Sequence, residues 1–191
     1  MAETKKARLS REDWLYAGFR ALVESGPEGL KAERIARALG TTKGSFYWHF
    51  KDVPDFKAQM LDLWQTRAFE DIVATVEQID NPTQRLYALA ENVTNPTEAD
   101  VLNYGGHAAE PAIRAWARSD AGAARAVAEI DARRLGFLQK TLSEIGIQNP
   151  EFARVIYGAH IGMSTLSAGD GINNHSAMSS LLAAVVSIGE A

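Results

Sequence analysis

Two short runs of helical period meet at a single glycine, and that junction constrains the chain more than any other feature. Leu30, Ile35, Ala36 and Leu39 share one helical face, while Lys31, Glu33, Arg34 and Arg37 point elsewhere. Gly40 closes this run, and Thr41 or Thr42 caps the next one after one or two residues. Helices this short are not stable alone in water. Joined so tightly, they form a crossed pair, the geometry of a helix-turn-helix unit. An earlier helix completes the set. Ser10 can cap it and Asp13 puts negative charge in its first turn. Leu15, Phe19, Leu22 and Val23 recur at helical spacing, with Trp14 and Gly18 beside them, and Ser25-Gly26-Pro27 stops the run.

The third helix opens the stretch TTKGSFYWHFKD, residues 41–52, with four aromatic rings in the five positions 46–50. Phe46 and Phe50 lie four apart and share a face that can pack on the first two helices. A unit of about fifty residues has little core, and large rings bury the most area per position. Lys43, Tyr47 and Lys51 form a second row at i, i+4 and i+8, which faces outward with Thr42, Gly44 and Ser45 beside its start. Small side chains there let a backbone approach a groove floor, and a helix N-terminus favours phosphate. Lysine can read guanine or hold a phosphate, and a threonine methyl can touch a thymine methyl. Tyr47, His49 and Lys51 carry donors suited to phosphate oxygens. The pattern therefore points to double-stranded DNA; a solvated helix over an aromatic core is the competing reading.

Charge supports the first reading. The chain of 191 residues has a net charge of −4, but residues 1–51 carry +4 and residues 52–191 carry −8. A basic head on an acidic body fits a polyanion met by the head alone. The absence of cysteine excludes disulfides and thiolate metal sites and fits a reducing, cytoplasmic setting. The opening MAETKKARLSRED lacks the apolar core of a signal peptide, and no run approaches 18 apolar residues, so no membrane partner is expected. The histidines at 49, 107, 160 and 175 lack metal-ligand spacing, and no cofactor motif stands out.

The segment ERIARALGTTKGSFYWHFKD resembles the DNA-binding segment of TetR-family transcriptional regulators. The matching features are Ile35-Ala36, Leu39-Gly40, the polar start Thr42 to Ser45, Tyr47, His49-Phe50 and Lys51. The resemblance covers roughly residues 9–60. It implies an all-α protein, with a three-helix DNA-binding head over residues 1–51 and a helical ligand-binding and dimerisation body over residues 52–191. It implies a homodimeric repressor, not an enzyme, released from an inverted-repeat operator by a small-molecule effector. Tyr47, His49 and Lys51 would then hold phosphate, while Thr42, Lys43, Gly44 and Ser45 would lie in the major groove. Two positions depart from the pattern. Val53 stands where many members have a basic residue. Lys31 stands where many have threonine, losing a cap while offering a further phosphate contact.

The rest of the chain reads as helix throughout. Asp52 caps a run reaching residue 79, and Asn81-Pro82 separates it from a helix over 83–93. Further helices are expected over 98–106, from Glu110-Pro111 to Ala117, over 123–145, over 152–167 and over 176–188, with Ala168 to Gly171 as a flexible loop. The last two helices, about 151–168 and 176–188, carry almost no charge and contain Gly158, Ala159, Gly162 and Ser164. Such faces are either core or a dimer seam, and the resemblance favours the seam. Trp64, Tyr104, His107, Trp116 and Phe137, with Tyr157 and His160, are candidates to line an apolar cavity; core packing is the alternative for each. Arg133-Arg134 reads as a solvated face. Two other readings compete: an enzyme using His107 or His160 with Glu110 or Asp170, and a DNA-binding dimer with no ligand. No nucleophile motif, phosphate loop or paired-carboxylate spacing supports the enzyme.

Overall fold

The computed structural model describes residues 9–95 and 108–189. The expected helix over 98–106, with Tyr104 and His107, lies outside the described residues. The described chain folds into helices α1 (Arg11–Ser25), α2 (Ala32–Ala38), α3 (Lys43–Phe46), α4 (Val53–Gln65), a π-helical turn (Thr66–Glu70), α5 (Asp71–Val76), α6 (Pro82–Thr94), α7 (Ala109–Trp116), α8 (Ala121–Glu144), α9 (Glu151–Asp170) and α10 (His175–Gly189). The all-α expectation holds. Among the described residues, no helix is long and apolar enough to cross a membrane.

Local chemistry sets most boundaries. Ser10 and Asp13 form a reciprocal cap: the Asp13 N–H donates to Ser10 Oγ at 3.2 Å, and the Ser10 N–H donates to the Asp13 carboxylate at 2.6 Å. Gly26 ends α1 at φ 64°, its N–H returning to the Leu22 carbonyl. Asp52 caps α4 through the Asp55 N–H at 2.8 Å, with Pro54 in the first turn. Asp120 caps α8, accepting from the N–H groups of Gly122 and Ala123.

Three boundaries differ from expectation. The helix begun at Asp52 is not uniform: at Thr66–Glu70 the Asp71 N–H reaches back five residues to the Thr66 carbonyl. The segment Ala168 to Asp170 is not a loop but the end of α9, because Gly171 is the residue that turns left-handed, at φ 71°. The third helix is short. After Phe46 the backbone tightens, with the His49 N–H donating to the Phe46 carbonyl at 3.0 Å, and Lys51 lies beyond the helix.

Two apolar clusters hold the molecule. The first joins the head to the body: Trp14, Phe19, Ile35, Phe46 and Phe50 are continuous with Phe56, Met60 and Trp64 of α4, Ile113 and Trp116 of α7, and Ile130 of α8. The close approach of α1 to α4 needs Gly18, since a Cβ there would lie 2.6 Å from both Met60 Sδ and Phe56 Cζ. The second cluster belongs to α6, α8, α9 and α10, around Leu86, Leu138, Leu142, Ile156, Met178 and Leu182. Helix α8 runs through both.

Candidate nucleic-acid interface

The head presents α3 on a bed of rings. Phe46 is fully buried, with its centroid 5.6 Å from Trp14, 5.1 Å from Phe50 and 5.3 Å from Phe56. These contacts come from edge and tilted packing, which fixes the helix by shape. The Trp14 indole N–H is buried without an acceptor, so shape and not hydrogen bonding holds that ring. Phe46 and Phe50 thus share the inner face, as their spacing required.

The opposite side is open. Thr42 caps α3, accepting from the Ser45 N–H at 3.3 Å. Thr42, Lys43 and Gly44 are exposed and Ser45 is half-buried. Gly44 has no internal reason to be glycine. Its φ is not positive, and a Cβ there would meet only Thr42 Oγ1, at 3.7 Å. Lys43 pairs with Glu33 of α2. That bond holds the Glu33 carboxyl below its ordinary range and the Lys43 ammonium above its own. Lys31 sits at the start of α2 without capping it and pairs with Glu28 at 3.4 Å.

The sequence-derived row is broken at its end. Tyr47 is half exposed, but Lys51 has left the helix, and its N–H donates to Asp55 at 2.9 Å. Lys43, Tyr47 and Lys51 therefore do not form one helical row; Lys51 marks the entry to α4. His49 is partly covered, its ring 6.1 Å from Trp14. One ring escaped the sequence reading. Trp48 is 83% exposed, the most exposed large apolar residue among those described, beside Tyr47. A tryptophan following Tyr47 on the open side of a buried pair was visible in the spacing, but apolar rings were assigned to the core.

A family model for bacterial regulatory proteins of the tetR family matches residues 15–52. The chain is similar to the HTH-type transcriptional regulator AcrR of Shigella flexneri, 30% identical over 66 residues, which are 35% of this chain and 31% of the relative. It is also similar to the HTH-type transcriptional regulator YwcC of Bacillus subtilis (strain 168), 27% identical over 93 residues, 49% of this chain and 41% of the relative. Residues 15–52 thus carry the DNA-binding segment shared by regulators of the tetR family.

The matched stretches span less than half of those two relatives. Solved structures extend the likeness, in fold alone, over nearly the whole chain. A transcriptional regulator from Rhodococcus sp. Rha1 aligns with a TM-score of 0.74 at 18% identity, covering 94% of this chain and 95% of that one. The fatty acid degradation regulator FadR from Bacillus halodurans aligns with a TM-score of 0.73 at 14% identity, covering 95% and 97%.

The helical body holds a partly open cavity of about 60 Å³ between the π-helical turn, α5, α6, α8, α9 and α10. Its walls are apolar, including Phe69, Leu89, Ala90, Phe137 and Met178, and its polar end holds Arg134, Tyr157 and His160. Of the five sequence candidates, Phe137 lines this cavity. Trp64 does not: it is buried in the cluster shared with the head. Trp116 is buried in that same cluster and borders a separate open groove between α4 and α8, where Lys57 lies 5.4 Å over its ring. Large size marked both residues, but size is equally a mark of core.

Arg134 is not on a solvated face. It donates to both Glu110 oxygens, at 2.7 and 2.9 Å, to the Tyr157 hydroxyl at 3.2 Å and to the Ala68 carbonyl at 3.0 Å. Arg114 donates to Glu110 and to Asp131, and the Tyr157 hydroxyl donates to Asp131 at 2.7 Å. Burial pushes the Glu110 carboxyl up, but Arg134 and then His160 and Arg114 outweigh it and hold it down at about 2. Burial, with Glu110 and Asp131 adding and Arg134 opposing, pushes the Tyr157 phenol up to about 12. Sequence could not reveal this network, because its members come from three helices. Among the described residues, no group of three acidic or histidine side chains is placed to hold a metal ion.

Proposed function

We propose that this protein is a sequence-specific DNA-binding transcriptional regulator of the cytoplasm, a homodimeric repressor released from a palindromic operator by a small molecule. The open face of α3 carries the reading: a capped helix start with exposed Thr42, Lys43 and Gly44, held from beneath by buried rings. In this reading Thr42 to Ser45 enter the major groove. Lys31, Tyr47, His49 and Lys51 hold phosphates, with Trp48 resting against the backbone beside them.

The dimer reading rests on α9 and α10. Val155, Gly158, Gly162, Leu166 and Gly169 fall along one exposed face of α9, with Val155 at 50% and Leu166 at 62% exposure. No Cβ added at Gly158, Gly162 or Gly169 would meet any neighbour within 4 Å. Such faces suit a second copy packed across a twofold axis through segments 151–168 and 176–188. Two heads would then reach successive major grooves about 34–36 Å apart.

Ligand release would act through the π-helical turn. Phe69 lines the cavity and packs edge-on against Phe137, with centroids 6.3 Å apart. The Ala68 carbonyl is held by Arg134. Arg67 is held above its ordinary range chiefly by its bond to Asp71, with burial opposing and a bond to Tyr16 of α1 adding. One turn thus touches cavity, polar network and head. A ligand that moves Phe69 or Arg134 would favour a regular α-turn there, a change of register of about 1.5 Å along the helix that reaches the head.

Binding of labelled duplexes across salt concentrations tests the interface. Tyr47→Ala and Lys51→Ala should each weaken binding to every sequence, and Lys51→Ala should also reduce the salt slope by about one. Wild-type affinity in both variants, with a wild-type slope for Lys51→Ala, would remove these residues from the interface.

A further inference from the structure

The geometry points to an uncharged, largely apolar effector with at most one hydrogen-bonding group, and against a carboxylate or an ammonium. This rests on the reading of the body cavity as the effector site and deepens it. The polar end of the cavity is closed to charge. Behind the lining residues Arg134 and Tyr157, two guanidinium groups, Arg114 and Arg134, are paired with two carboxylates, Glu110 and Asp131. The Tyr157 hydroxyl donates to Asp131 and accepts from Arg114 at 2.8 Å and Arg134 at 3.2 Å, which fills its capacity. His160 stacks on Tyr157 at 6.2 Å and helps hold the Glu110 carboxyl down.

An anion at the polar end competes with Glu110 for Arg134 and His160, and drawing Arg134 away leaves that carboxylate, nearly buried, with Arg114 as its remaining ion pair among the described residues, which is unfavourable. A cation must compete with two guanidinium groups for carboxylates they already hold in several bonds. A neutral molecule disturbs neither pairing. It gains from the apolar walls and needs only one polar group directed toward Arg134. The space is small: at about 10–15 Å³ per water-sized group, a cavity of about 60 Å³ admits four to six such groups before its walls move.

Pentan-1-ol, pentanoate and pentylammonium, matched in chain length, test the inference on the full chain. Methyl NMR of Met178, Leu182 and Ile156 reports where each binds, and fluorescence anisotropy of a bound duplex reports release. Pentan-1-ol should shift those methyls, with an affinity at least tenfold above either ion, and Ala90→Leu should abolish the shifts. Equal or tighter binding by pentanoate or pentylammonium at the same methyls overturns the neutral class and leaves the cavity reading standing. No shift at those methyls with any of the three overturns the inference. Methyl shifts with pentan-1-ol but no release of DNA would support the neutral class and count against the cavity as the effector site.

Discussion

The two apolar clusters are built from different materials. The head-side cluster contains Trp14, Phe19, Phe46, Phe50, Phe56, Trp64 and Trp116, all buried. The body-side cluster is aliphatic, with Tyr157 as its buried ring, and it surrounds the cavity. Interlocked rings have few alternative arrangements. Leucine, isoleucine and methionine around a void have many, and methionine adapts most readily. A head of fixed shape is therefore joined to a deformable body through α4, α8 and the π-helical turn. This difference is what the proposed function asks of a DNA-reading head and a ligand-binding body.

The largest test of the contrast is stability. Phe46→Ala should cost about 3–5 kcal/mol, because the rings around it cannot collapse into the gap. Leu182→Ala, which only enlarges an existing void, should cost about 2–3 kcal/mol by the same reasoning. Denaturant unfolding of both variants measures the difference, and equal losses would break the contrast.

Acid should act on the body first. The ordinary Glu110 value of 4.5 falls to about 2. A lowered carboxyl stabilises the fold above its unfolded value, and that contribution fades as pH drops from about 4.5 through about 2. It is worth roughly 3 kcal/mol. Glu110→Gln should lose this at neutral pH and show a flatter decline in acid. An unchanged slope of stability against pH between 5 and 2 would show that Glu110 is not the group responsible.

Gly44→Leu separates fold from binding. Nothing inside the head requires glycine at this position, so helix propensity should leave stability unchanged or raised by up to about 1 kcal/mol. DNA affinity should nevertheless fall tenfold or more, because the new side chain stands where a groove floor approaches. Retained affinity would place Gly44 away from DNA. Glu33→Gln should have the smallest effect: it releases Lys43 from its pair and should raise duplex affinity by a few fold, most clearly at low salt. Unchanged affinity would remove Lys43 from the contact.

The head was legible in sequence because its signals are local. Ser10 with Asp13, Gly26, Gly40, Thr42 and Asp52 each act within a few residues, and each stands at the helix boundary it predicted. Extrapolating a regular period failed where tertiary packing intervened. The row from Lys43 to Lys51 assumed an unbroken helix, but the turn tightens after Phe46 and the Lys51 N–H belongs to the cap region of α4. Arg133 and Arg134 are adjacent in sequence but differ in fate. Arg133 lies 4.3 Å over Phe69 at the surface, while Arg134 turns inward to a glutamate 24 positions earlier. Such a partner leaves no periodic trace. The π-helical turn is equally silent, since an added residue in a helix changes hydrogen-bond register without changing composition.

The central claim is that α3 reads DNA in a twofold arrangement. The most direct measurement is selection of random duplexes by the purified protein, read by sequencing. The account predicts an enriched inverted repeat with half-sites one helical turn, or a multiple of one, apart. Enrichment of no sequence at modest salt, with or without an apolar alcohol present, would contradict it.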